Sequence, residues 1–113
     1  MTSEFVRVMP LAEVPRGQMR SCAVANRQIV ICHTKEGVFA LDNICTHAHA
    51  HMDEGRLRGT KLVCPLHGAT FDVRDGRVLG APAVLPLPNH AVRIVENFVE
   101  VAVNPDAPPQ ATE

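Results

Sequence analysis

At 113 residues, with 46% hydrophobic residues, the chain is sized for one domain around one core. Its formal net charge of −1 gives no reason to expect binding to nucleic acid or an anionic membrane, both of which favour basic surfaces. Aromatic residues make up only 4%, with no Trp or Tyr, so the core must be built from Val, Leu, Ile and Ala with four Phe.

The chain opens Met1-Thr2-Ser3-Glu4, without the basic and apolar regions of a signal peptide. No apolar run approaches the roughly 18 residues needed to cross a bilayer, so a cytoplasmic protein is expected. Phe5-Val6-Arg7-Val8 alternates and predicts a first strand, and Leu11 to Val14 before Pro15 reads as a single helical turn or loop. Met19 to Val24 and Gln28 to His33 predict two strands joined by a tight turn near Asn26-Arg27. Val38 to Leu41 follows as a fourth strand after a turn at Thr34-Lys35-Glu36-Gly37. In that hairpin Cys22 and Cys32 are not opposed, and a cytosolic setting also argues against a bridge, so both are expected as free thiols.

The stretch from about 43 to 83 changes character: it is rich in glycine, poor in apolar runs, and unable to hold together by core packing alone. Met52-Asp53-Glu54-Gly55 reads as a turn, Lys61-Leu62-Val63 as a short strand, and Thr70 to Val73 as the segment leaving a second loop. Arg74-Asp75-Gly76-Arg77 carries the Asp-Gly chemistry of a hairpin turn. Ala91 to Glu96 and Phe98 to Val103 close the chain as a last hairpin. Repeated short strands with turn signals point to an all-β fold, an antiparallel β-sandwich or barrel. Residues 1–104 are expected to form one domain, with residues 43–83 as a small inserted subdomain. The tail, 105–113, with Pro105, Pro108 and Pro109 and no periodicity, is expected to be disordered.

Within the inserted stretch, Cys45-Thr46-His47 and Cys64-Pro65-Leu66-His67 each pair one thiol with one imidazole. That donor set suits zinc or an iron–sulfur cluster, not calcium or magnesium. Zinc sites usually open with ligands two to four residues apart and close with a His pair. Here the first pair is separated by one residue, and each half holds one Cys and one His. Two symmetric loops, each giving a thiolate to an inner iron and an imidazole to an outer iron, would match that arrangement. Zinc stays open as the other reading, that of a stapled structural module.

The stretches Asn43 to His47 and Cys64 to Val73 resemble a Rieske-type ferredoxin, above all the small ferredoxins serving bacterial aromatic-ring-hydroxylating dioxygenases. The resemblance runs from about Val6 to Val103. It implies a Rieske-type fold with an inserted cluster-binding subdomain, and one Rieske [2Fe–2S] cluster per chain held by Cys45, His47, Cys64 and His67. It further implies a non-catalytic carrier of single electrons from a flavin-dependent reductase to a terminal oxygenase, with neither nucleic acid nor membrane as partner. Gly80-Ala81-Pro82-Ala83 resembles the proline loop that covers the cluster. Respiratory relatives carry an extra Cys in each loop, and Ser and Tyr hydroxyls on the sulfurs. This chain has Ala69 and Phe71 in that region, which places its potential toward the low end of the roughly −150 to +300 mV Rieske range. A Rieske-like small subunit of an assimilatory reductase is the alternative within redox chemistry. A fragment of the oxygenase is disfavoured, because a 2-His-1-carboxylate iron domain has no room here. His49 and His51 are expected as solvent-exposed loop residues, or as groups that tune the cluster or touch a partner; His33 and His90 are expected at the surface. No Ser/His/Asp or phosphate-loop constellation is present in the sequence.

Overall fold

The computed structural model describes residues 4–46, 50–66, 68–81, 83 and 85–111. Ten strands are found among them: β1 (Val6–Pro10), β2 (Met19–Val24), β3 (Arg27–Thr34), β4 (Gly37–Asp42), β5 (Arg56–Arg58), β6 (Lys61–Val63), β7 (Thr70–Asp72), β8 (Val78–Gly80), β9 (Asn89–Val95) and β10 (Phe98–Ala102). Single 3₁₀ turns sit at Leu11–Glu13 and Met52–Glu54. The larger sheet has the order β1-β10-β9-β4-β3-β2, antiparallel throughout, and its two edge strands approach each other so that it nearly closes. The smaller sheet, β5-β6-β7-β8, lies within the glycine-rich stretch. The expected all-β architecture is what the chain adopts.

Two hairpins owe their register to two-residue turns. Ala25-Asn26 and Glu96-Asn97 all take positive φ, between 50° and 67°, the backbone sense that matches strand twist. The first turn falls one residue before its expected place and sets Cys22 opposite Ile29 and Cys32 opposite Met19. Neither cysteine faces the other, and both are free thiols.

The core has two parts divided by the middle of the larger sheet. Ile29 and Ile31 of β3 join Val14, Ala40, Val99 and Val101 inside the barrel. Val30 and Cys32, pointing the other way along the pleat, join Leu41, Met52, Leu62, Phe71 and Leu87 beneath the smaller sheet. β3 is therefore apolar on both faces and is the wall that the two halves share.

Two expectations change. His90 is buried, with a fully enclosed imidazole, and is no surface residue. Its Nδ1 accepts the Asn104 N–H at 3.0 Å, so its proton sits on Nε2, which donates to Asp42 Oδ1 at 2.8 Å. The tail, expected to be disordered, is described to Ala111 and runs back to β3. Arg27 Nη2 donates to the Pro108 carbonyl at 2.7 Å, and the Gln110 amide satisfies both the N–H and the C=O of Gln28 at 2.9 and 2.6 Å. One side chain thus imitates a strand rung, a bond that no periodicity announces.

Candidate metal centre

Cys45 lies three residues beyond the end of β4, and Cys64 directly follows β6. Their loops close in the same way: Cys45 N–H donates to Ala50 O at 2.9 Å, and Cys64 N–H donates to Ala69 O at 2.8 Å. In both cases the acceptor is an alanine five residues on, buried in the core beneath the smaller sheet. The two cysteines are 1% and 2% exposed and close enough for each thiol to bear on the other's ionisation. Burial first, then the Cys45 thiol, push Cys64 up to about 11, against the Leu66 N–H, which favours its thiolate. Both thiols are thus drawn together in a dry pocket, where a metal taking the protons' place would satisfy them.

The base of the first loop is tied by Asn43, which is 1% exposed. Its backbone N–H donates to Gln28 O at 2.9 Å and its carbonyl accepts Met52 N–H at 2.7 Å. Its side chain pairs reciprocally with Asp53, accepting the Asp53 N–H and donating to Oδ1, both at 2.8 Å. The same amide nitrogen lies 3.4 Å from His51 Nδ1. His51 is half-buried and bridged to Ile44, so it belongs to the loop's foot and not to an exposed rim. Thr46 Oγ1 donates to Leu85 O at 2.9 Å and ties the first loop to the segment before β9. In the second loop Thr70 Oγ1 donates to Gly68 O at 3.0 Å.

Of the four expected ligands, the described residues bring Cys45 and Cys64 together; His47 and His67 lie outside the described residues, as do His49 and Pro82 of the proline loop. The thiol pair fits the thiolate half of a mixed-ligand [2Fe–2S] centre: two soft donors, adjacent, buried and delivered by matching loops. The sequence reading did not identify Asn43, Asp53 or the Asp42–His90 pair. An amide and a carboxylate ten positions apart carry no periodic signal, although an Asn two residues before a ligand is a position where a loop could be anchored.

A model of the Rieske [2Fe-2S] domain matches residues 4–93. The chain belongs to this family. Its cofactor is accordingly one Rieske-type [2Fe–2S] cluster, and the zinc-stapled reading gives way. The ferredoxin component of the naphthalene 1,2-dioxygenase system of Pseudomonas aeruginosa is 34% identical over 94 residues, covering 83% of this chain and 90% of that protein. The ferredoxin of carbazole 1,9a-dioxygenase from Nocardioides aromaticivorans IC177 superposes with a TM-score of 0.86 at 31% identity, over 90% of this chain and all of that one. A carbazole 1,9a-dioxygenase ferredoxin solved in complex with its reduced oxygenase superposes with a TM-score of 0.81 at 28% identity, over 87% of this chain and 92% of that one. No helix among the described residues is long and apolar enough to cross a membrane.

Proposed function

We propose that this chain is the ferredoxin component of a multicomponent ring-hydroxylating oxygenase, catalysing nothing itself. It takes single electrons from a flavin-dependent reductase and delivers them to the terminal oxygenase, in the cytoplasm. The observation that carries this reading is the pair of buried, neighbouring free thiols on two loops that close in the same way. Residues 1–104 act as one domain, with about 43–83 as its cluster-holding part.

Cys45 and Cys64 are assigned as the thiolate ligands, and His47 and His67 as the imidazole ligands. When bound, the cluster supplies a reversible one-electron couple. The protein's own part is to hold the thiolates apart from water, to brace the first loop against β3 and the segment before β9 through Asn43 and Thr46, and to set the field around the sulfurs. Ala69 and Phe71 offer no hydroxyl there, and the Thr70 hydroxyl is spent on the Gly68 carbonyl. Fewer donors to the sulfurs leave the reduced state less stabilised, which suits a low-potential donor to an oxygen-activating enzyme. Support for the oxygenase as recipient comes from the ferredoxin–oxygenase complex of a relative.

The test is electron paramagnetic resonance of the anaerobically dithionite-reduced protein beside Cys45→Ser and His67→Ala variants. A rhombic signal with average g below that of all-Cys clusters, lost in both variants, is the expected result. A colourless protein containing zinc, or a signal indifferent to His67, overturns the assignment.

A further inference from the structure

The hairpin β5–β6 carries cations that its fold does not explain. Arg56 and Arg58 share the outer face of β5, since Leu57 between them turns inward to the core. Arg58 stands directly across from Lys61, a like-charge cross-strand pair that weakens the hairpin. Arg7, Arg27, Arg74, Arg77 and Arg93 all have carboxylate partners, whereas Arg56, Arg58 and Lys61 have none among the described residues. Beyond the hairpin's turn, Arg16 and Lys35 line the same surface beside Gly59 and Thr60, and the nearby Glu36 is engaged by Arg74 at 3.3 Å.

This face meets the metal centre. A crevice of about 530 Å³ is lined by Glu54, Gly55, Arg56 and Arg58 on one side and by Cys64 and Gly68 of the second loop on the other. Glu54 is the one carboxylate in that lining. In a chain of net charge −1, Arg56 and Arg58, with Lys61 across from Arg58, thus place cations without carboxylate partners among the described residues beside the second cysteine loop, where electrons would enter or leave.

We propose that the outer face of the β5–β6 hairpin, flanking the second cysteine loop, is a basic docking surface for a protein partner with a carboxylate-rich surface. The inference rests on the reading of the chain as an electron carrier and adds the electrostatic sign of one of its interfaces. Charge complementarity picks the occupant: such a face attracts acidic surfaces, steers their approach, and loses its effect as salt rises.

The cluster-loaded protein is tested in two ways. Fluorescently labelled poly-L-glutamate serves as the acidic probe, titrated at low and high salt. Stopped-flow oxidation of the reduced protein, one electron per protein, compares ferricyanide with hexaamminecobalt(III). Lys61→Gln and Ala91→Glu change net charge equally, but only the first lies on the hairpin; Arg58→Glu/Lys61→Glu reverses the face. The reversed variant is expected to lose poly-L-glutamate binding and to lower the ferricyanide-to-cobalt rate ratio about tenfold. Lys61→Gln should weaken both and Ala91→Glu neither, with the midpoint potential of each variant measured so that driving force is separated from steering. Equal effects of Lys61→Gln and Ala91→Glu, or an unchanged rate ratio in the reversed variant, overturn the proposal. Loss of the resonance signal in the unmodified protein would instead refute the electron-carrier reading itself.

Discussion

Asp42 ends β4 three residues before Cys45, and its replacement by Asn probes what anchors the first loop. The carboxylate is 1% exposed, accepts Arg27 Nε and Nη2 at 2.6 and 2.7 Å, and accepts His90 Nε2 at 2.8 Å. Burial alone would raise its pKa; the bonds from His90 and Arg27 outweigh it and hold the group below the usual carboxylate range. Asp42→Asn keeps the shape but removes the charge, leaving a mostly buried Arg27 guanidinium with one neutral amide oxygen and the Pro108 carbonyl as its acceptors. Removing one member of a buried ion pair costs about 3–5 kcal/mol, and the retained amide oxygen places the loss near the lower end, about 3 kcal/mol. With a guanidinium dependence of about 4 kcal/mol per M, the midpoint falls by about 0.75 M. The assay follows far-ultraviolet circular dichroism and the visible absorption of the cluster together, anaerobically. A midpoint within 0.1 M of the unmodified protein would refute the claim that this network holds the end of β4.

Three further outcomes follow from the same geometry. Asn43→Ala removes both arms of the Asn43–Asp53 pair, a loss of about 2 kcal/mol, and should speed cluster release to an iron chelator about 30-fold; an unchanged release rate would deny Asn43 its anchoring role. Asp72 is held at about 2, chiefly by hydrogen bonds from Arg74, so its contribution is complete above the unfolded value near 4 and is lost as pH falls toward 2. Because Arg74 and Arg77 are 45% and 62% exposed, that contribution is about 1 kcal/mol, and Asp72→Asn should flatten the acid limb of a stability–pH profile between about pH 4 and 2. Gly76 has φ +80° and a Cβ there would fall on the Leu87 carbonyl, so Gly76→Ala should cost about 3 kcal/mol, read as a lowered thermal midpoint.

The strands of the larger sheet were legible because alternation and turn residues mark them, and because β-branched residues fill β3 and β9. β5 and β8 were not: each has three residues, too few to show a period, and Gly55, Gly59 and Gly80 at their ends read as loop. The metal centre was legible as two Cys/His pairs, since chance rarely places such donors so close. What positions it was not. His90 looked like a surface residue because its immediate neighbours, Asn89 and Ala91, are not core types. Its burial follows from Asp42, forty-eight positions earlier, and from a backbone N–H of the tail. The tail's return to β3 depended on one amide matching one peptide unit, information carried by geometry and not by composition.

The double-sided burial of β3 changes what a sequence insertion would do to this protein. On a strand with one wet face, slipping by a single residue exposes its apolar set and is strongly resisted. Ile29-Val30-Ile31-Cys32 offers an apolar side chain to either compartment, so a slipped β3 would still look oily on both sides. Alignment of the hairpin therefore falls to its corner, where Ala25 and Asn26 occupy left-handed backbone without a glycine, and to the polar anchors just beyond it, Arg27 on Asp42 and Gln28 on Asn43 and Gln110. One residue added within β3, beyond those anchors, would turn the side chains after it toward the opposite compartments and carry β4, with the first cysteine loop at its end, out of step with the second.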